Sequence, residues 1–299
     1  MSTRKKNVVD VARRILLATE LGCRSDRAFE RAVQLAQQWN ATLFALYVAP
    51  QADAAHTAPS WRRGATVAQT VEHQLRADLG DRRVDLQVVV DHGEPYKAVL
   101  QRAREFDCEL IVVGLNRESL LGSHKLGGTI EKLVQHADRP VLMVKQRAHG
   151  AYGASIVASD FSPCARRALE CATRLFPMGD VAVLHGYRVP FEHFGKPEAN
   201  AGAAQTLAVS ELQRFIAAAD LAPKVRGRLR SLVEYGAPTD VLGAYLRERP
   251  HDLVVVGARG DSGVLDRLLG STAIAITAGV NNDVLIVRSP ADQAQQHAA

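Results

Sequence analysis

The apolar residues of this chain fall into two kinds of stretch. Short, largely apolar runs at 15–19, 42–48, 86–90, 110–113 and 141–145 have the length and branched aliphatic content of buried strands. Between them apolar positions recur every third or fourth residue, as Phe29, Val33 and Ala36 do, the spacing of a helix that buries one face. Helices are predicted at about 26–39, 67–79, 95–106 and 129–136. Ser25-Asp26 caps the first, and the Gly93-Glu94-Pro95 turn starts the third. Residues 1–12 are expected to form a loosely held arm, and 49–64, with Pro50 and Pro59, a loop. Strand and helix alternate on this rhythm, so the fold is expected to be α/β with a parallel sheet.

The order then repeats. After a linker at 146–154 come a strand at 156–159, a helix from Ser162-Pro163 to about 175, and a strand at 181–185. A loop at 190–203, a helix at 207–219 and strands at 229–234, 253–256 and 284–288 follow, then a polar tail expected to be disordered. Asp91-His92-Gly93-Glu94-Pro95 matches Glu234-Tyr235-Gly236-Ala237-Pro238, and Leu110 to Gly114 matches Leu253 to Gly257, both displaced by 143 residues. The first strand and its Thr19-Glu20 match Ile156 to Asp160 with a three-residue slip. An internal duplication explains this better than two unrelated domains. The expected architecture is two tandem doubly wound domains, 1–148 and 153–290, with a tail at 291–299. Each is a five-stranded parallel sheet of order 3-2-1-4-5 with helices on both faces.

In such a sheet ligands bind beyond the carboxyl ends of the strands where the order reverses, between strands 1 and 4. In the second copy Asp160 ends strand 1 and Gly257 ends strand 4. Gly260 follows, then Gly270-Ser271-Thr272 at the start of the next helix. Glycines there let the backbone approach a ligand, and exposed N–H groups at a helix start suit a phosphate. No lysine follows Gly270, so this is not a P-loop. Asp160 could hold a ribose hydroxyl or a magnesium ion, or serve only as the turn residue before a helix.

Composition narrows the classes. The chain is 47% hydrophobic and 23% charged, values of a globular protein, and no apolar run nears the length of a membrane span. The basic start, Met1 to Lys6, is followed by no signal-like apolar stretch, so a cytoplasmic location is expected. Cys23, Cys108, Cys164 and Cys171 have no Cys-x-x-Cys spacing and read as free thiols. The net charge of +5 is spread out without aromatic-rich basic clusters, which argues against a nucleic-acid partner. No histidine pair has zinc spacing, and no serine sits in a nucleophile elbow.

Ser159-Asp160-Phe161-Ser162-Pro163, the Gly236-Ala237-Pro238 turn and Gly257-x2-Gly260-x9-Gly270-Ser271 resemble the universal stress protein family, over nearly the whole chain as two copies. The resemblance implies ATP with Mg2+ over strands 1 and 4, pairing through the last strand, and a stress-response regulatory protein without a well-defined reaction. Carried over, Asp160 is the acid after strand 1, and Gly257 and Gly260 lie near the ribose and α-phosphate. Gly270, Ser271 and Thr272 hold the distal phosphates, and Val233 lines the base pocket or only the core. Gly186 stands where a valine often lines the adenine, and Asp283 where proline often precedes the last strand. The first copy departs further. Glu20 replaces the aspartate, Gly114 is kept, Arg117 stands for the second glycine, and Gly127-Gly128 replaces Gly-Ser. It is expected to be a structural partner, packing 141–144 against 284–287 as an internal pseudo-dimer, with a homodimer as a further assembly. The alternatives are a nucleotide-free scaffold or small-ligand carrier and, less favoured, a slow ATP hydrolase.

Overall fold

The computed structural model describes residues 13–23, 25–50, 66–115, 126–188, 197–258 and 269–288. The expectations for the arm at 1–12, for nearly all of the loop at 49–64, for the tail, and for Arg117 and Gly260 lie outside the described residues. The first half runs β1 (Arg14–Thr19), α1 (Asp26–Trp39), β2 (Thr42–Ala49), α2 (Val67–Leu79), β3 (Asp85–His92), α3 (Pro95–Glu105), β4 (Leu110–Gly114), α4 (Gly128–His136) and β5 (Val141–Val144). The second runs β6 (Ala154–Ala158), α5 (Pro163–Leu175), β7 (Asp180–Tyr187), α6 (Pro197–Ala218), α7 (Pro223–Arg226), β8 (Arg230–Tyr235), α8 (Pro238–Glu248), β9 (Leu253–Gly257), α9 (Ser271–Gly279) and β10 (Asp283–Val287).

The strands form one sheet of order β3-β2-β1-β4-β5-β10-β9-β6-β7-β8. Each half thus has the expected 3-2-1-4-5 order with every internal pairing parallel. The halves meet at an antiparallel pairing, with Leu142 of β5 opposite Leu285 of β10. This is the pairing of last strands that the sequence predicted.

Alternation along the strands divides the core. Leu110 and Val112 of β4 pack with apolar residues of α1, α2, α5 and α6. Ile111 and Val113 pack on the other face with α3, α4, α8 and α9. Helix starts follow the residue chemistry. Thr66 and Gln69 form a reciprocal capping box at α2, Ser162 accepts from the N–H of Ala165 at 3.1 Å, and prolines open α3, α5 and α8.

The duplication reaches into the hydrogen bonds. The N–H of Leu21 donates to Thr19 Oγ1 and that of Phe161 to Ser159 Oγ, both at 3.1 Å, with both residues left-handed (φ 59° and 64°). Glu109 N–H donates to the Arg14 carbonyl and Asp252 N–H to the Ala154 carbonyl. Leu115 N–H reaches the Val144 carbonyl as Ala258 N–H reaches that of Val287.

The seam carries a buried ionic cluster. Asp283 is fully buried; its Oδ1 accepts the backbone N–H groups of Lys145 and Gln146 at 2.7 and 2.9 Å, and its Oδ2 accepts the Tyr152 hydroxyl at 2.6 Å. Arg31 Nε lies 3.5 Å from Oδ2, and its guanidinium lies over the Tyr152 ring. Lys145 Nζ donates to the Val280 and Thr277 carbonyls at the end of α9. Burial, and then the neighbouring Asp283 carboxylate, holds the Tyr152 hydroxyl well above its ordinary pKa, so it stays a donor.

Three features depart from the sequence reading. Residues 197–203, expected in a loop, belong to α6, because Pro197 can open a helix and the alanines at 199, 201, 203 and 204 favour helix enough to outweigh Gly202. The short helix α7 was not foreseen. The stretch 146–154 is more than a linker, since Tyr152 within it is buried and Ala154 already begins β6.

Candidate functional site

β6 and β9 are neighbours in register, Ala158 beside Val256, so Asp160 and Gly257 leave the sheet on the same edge. The turn after β6 is held from several sides. Ser159 Oγ accepts from Phe161, Asp160 Oδ1 accepts the Ser162 N–H at 3.1 Å, and the Ser159 carbonyl lies 2.8 Å from His185 Nδ1. The Phe161 ring stacks on His185 with centroids 4.1 Å apart. Asp160 is therefore both turn residue and exposed carboxylate, and its Oδ2 has no hydrogen-bond partner among the described residues.

Gly257 is glycine for a reason the sequence reading missed. A Cβ there would meet Ala165 N and Cys164 C, both at 2.9 Å. The space is taken by the first turn of α5, not left for a ligand. The glycine lets that helix close onto β9, which places the Asp160 turn over the end of the strand.

The N–H of Gly270 donates to the Ala258 carbonyl at 2.9 Å and fixes where α9 begins. No side chain caps α9, and the first intrahelical bond runs from Ile274 N–H to the Gly270 carbonyl. Among the described residues the N–H groups of the first turn have no side-chain partner, and they carry the positive end of the helix dipole.

Between these parts lies a cavity of about 340 Å3. Asp160, Gly257, Gly270, Ser271 and Thr272 line it, together with Ser159 and apolar walls from Leu184, Pro238, Val256 and Ile276. The volume is at the lower end of small-molecule pockets, about 300–1,000 Å3. Five of the seven residues singled out in the second half are brought together; Gly260 lies outside the described residues. Val233 is not among the lining residues: it packs against the α5–α6 face of the sheet, whereas Leu184 faces α8 and α9. Gly186 has no side chain because a Cβ would lie 3.0 Å from the Gly236 carbonyl oxygen and 3.1 Å from Pro238 Cα. The turn before α8 occupies the place of the expected valine.

The first half keeps the frame. Glu20 follows β1, Gly114 ends β4, and Gly127-Gly128 opens α4, with Gly127 at φ 86°. Its first turn contains Glu131, at the position of Ile274 in α9, and that carboxylate opposes an anion at the helix start. Sequence reasoning overlooked Glu131 and the walls Leu184 and Ile276; strand alternation and helix spacing held the signal for all three. Among the described residues no group of three or more His, Cys, Asp and Glu could hold a metal, and no helix is long and apolar enough to cross a membrane.

The model of the universal stress protein family matches this chain twice, at residues 12–145 and 152–288. A protein of unknown function from Pseudomonas aeruginosa PAO1 superposes with a TM-score of 0.68 at 16% identity, covering 96% of each chain. A universal stress protein from Archaeoglobus fulgidus DSM 4304 gives 0.61 at 17% identity, over 92% of this chain and 96% of that one. At these identities the likeness concerns the fold.

Proposed function

The chain belongs to the universal stress protein family, and on that premise we propose that its second half binds an adenine nucleotide, ATP with Mg2+, as a regulatory module of the stress response. One observation carries the reading: the uncapped start of α9 and the Asp160 carboxylate line one cavity at the switch point of the sheet. The amides of Ser271, Thr272 and Ala273 would take phosphate oxygens, helped by the Ser271 and Thr272 hydroxyls. Asp160 would hold a ribose hydroxyl or the cation, and Leu184, Pro238, Val256 and Ile276 would form the apolar part. A bound Mg2+ would neutralise phosphate charge that the helix dipole alone cannot balance and that the Asp160 carboxylate adds to. Asp160 is the only ionisable side chain among the described residues of the cavity, and on this reading it holds the ribose or the cation, which leaves slow hydrolysis as the lesser reading.

The first half, with Glu131 at the start of α4, acts as the structural partner. Mass spectrometry of small molecules released from freshly purified protein, with thermal unfolding in ATP–Mg2+, tests this. Adenine nucleotide in the eluate and a melting rise lost in Gly270→Val support it. An unchanged melting point in millimolar nucleotide sinks it and favours the nucleotide-free carrier.

A further inference from the structure

The near-twofold relation between the halves pairs two flanks of the seam, and the flanks differ. On one, Arg31, Asp283 and Lys145 fill the space between α1 and the strands. On the other, Cys171, Pro140 and Arg288 hold the equivalent positions, with Arg167 for Arg27 and Arg174 for Gln34. The equivalence rests on the matching hydrogen bonds above and on shared burial: Ala28, Phe29, Ala32 and Leu35 of α1 answer Ala168, Leu169, Ala172 and Leu175 of α5. The second flank has therefore lost both the guanidinium and the carboxylate that close the first.

What remains is a cavity of about 210 Å3, lined by Arg139, Arg167, Arg174 and Arg288 over Cys171 and Pro140. It has room for several waters at about 30 Å3 each. Glu109 and Asp138 also line it, but Asp138 is held by Arg104 at 2.9 Å. Arg139 reaches Asp107 at 3.0 Å through one terminal nitrogen, while its buried Nε has no hydrogen-bond partner among the described residues. Burial pushes the Cys171 thiol pKa up, so that side chain adds no negative charge. Among the described residues, Arg139, Arg167 and Arg174 face this small space with Glu109, while Asp138 is already paired with Arg104. An excess of arginine there suits a planar or tetrahedral oxyanion, bound through paired N–H groups.

We propose that this flank of the seam is a binding site for a small phosphate-class oxyanion, separate from the cleft at β6 and β9. Arg167 and Arg174, one helical turn to either side of Cys171, grip it from α5, and Arg139 from the start of the seam strand β5. The cavity shares Arg167, Cys171 and Arg174 with a wider depression of about 580 Å3 bordered by Asp220 to Pro223. That depression leaves room for the body of a phosphorylated small molecule.

The test is calorimetric titration with orthophosphate, pyrophosphate and glycerol phosphate at constant ionic strength. It uses the full chain and its Gly270→Val form, in which the α9 cleft no longer competes. Saturable binding is expected in both, weakened at least about tenfold by R167Q/R174Q, since each removes a charge-assisted hydrogen bond. C171R/P140D restores the residues that close the opposite flank and is expected to abolish binding; it decides the matter should the double glutamine variant not fold. Tighter binding of glycerol phosphate than of orthophosphate identifies a phosphorylated metabolite, and the reverse identifies the free anion. No saturable binding, or binding that survives C171R/P140D, overturns the proposal; loss of binding in Gly270→Val alone assigns it to the cleft.

Discussion

The backbone N–H of Lys145 donates to the carboxylate of Asp283 at 2.7 Å, tying the end of β5 to the start of β10. The same carboxylate accepts from Gln146 and Tyr152 and faces Arg31. Removing it strands a guanidinium, a phenol and two amides in the seam. Asp283→Ala is therefore expected to lower stability by about 3–5 kcal/mol, read by urea unfolding. A loss below about 1 kcal/mol, the scale of an exposed pair such as Glu72–Arg76, would show that the cluster is incidental.

At the start of α9 stability and binding should move in opposite directions. Thr272 is exposed in the uncapped first turn. Thr272→Glu places a carboxylate at the positive end of the helix, worth about 0.3–1 kcal/mol to the unliganded protein. The same charge repels a phosphate, so nucleotide affinity should fall while the unliganded melting point holds or rises. Unchanged affinity by titration would separate α9 from the nucleotide.

Gly257→Ala tests whether that glycine serves the protein or the ligand. Its Cβ would press on the backbone of Cys164 and Ala165 at 2.9 Å. Overpacking of this kind costs about 1–3 kcal/mol, so the unliganded chain should melt lower. Normal melting with weakened nucleotide binding would reverse the assignment.

The thiols should divide by burial. Cys23 is exposed, whereas Cys108, Cys164 and Cys171 are buried, and burial pushes the Cys108 thiol up to about 12. Iodoacetamide at mild alkaline pH should label Cys23 in the native protein and the other three only after denaturation, as counted by intact mass. Rapid native labelling of Cys171 would mean that the second flank of the seam opens to solvent.

Asp91 supplies a pH signature. The His92 backbone N–H, and after it Arg102 at 2.9 Å, holds its carboxyl below the ordinary value of 3.8. A depressed folded-state pKa stabilises the protein above the unfolded value and loses that effect as pH falls through the folded one. The pair is partly exposed, so its worth is at most about 1 kcal/mol. Asp91→Asn should be less stable than the parent at neutral pH and equal to it near about pH 2. A gap that persists in acid would assign the loss to packing.

The strands, their order and the pairing of β5 with β10 were legible because each strand is a short aliphatic run and the motif repeats at a fixed displacement. Asp160 and Gly270 were legible because a helix start after a strand end is a local pattern. The start of α6 was not, since Gly202 and Asn200 disguise a segment that alanine and Pro197 make helical. Of the two roles the sequence left open for Val233, strand alternation gives it the core one: Leu232 lies on the face of Leu184, Val233 on the other. The roles of Asp283 and Gly257 depend on partners more than ninety residues away, Lys145 and Cys164, and no local pattern reports such a meeting.

Because β5 and β10 belong to one polypeptide, their encounter is set by the length of tether between them and not by how many molecules share the solution. Dilution that would separate two independent subunits leaves this seam intact. Each copy is thus released from having to match itself, and its two sides are free to acquire different chemistries.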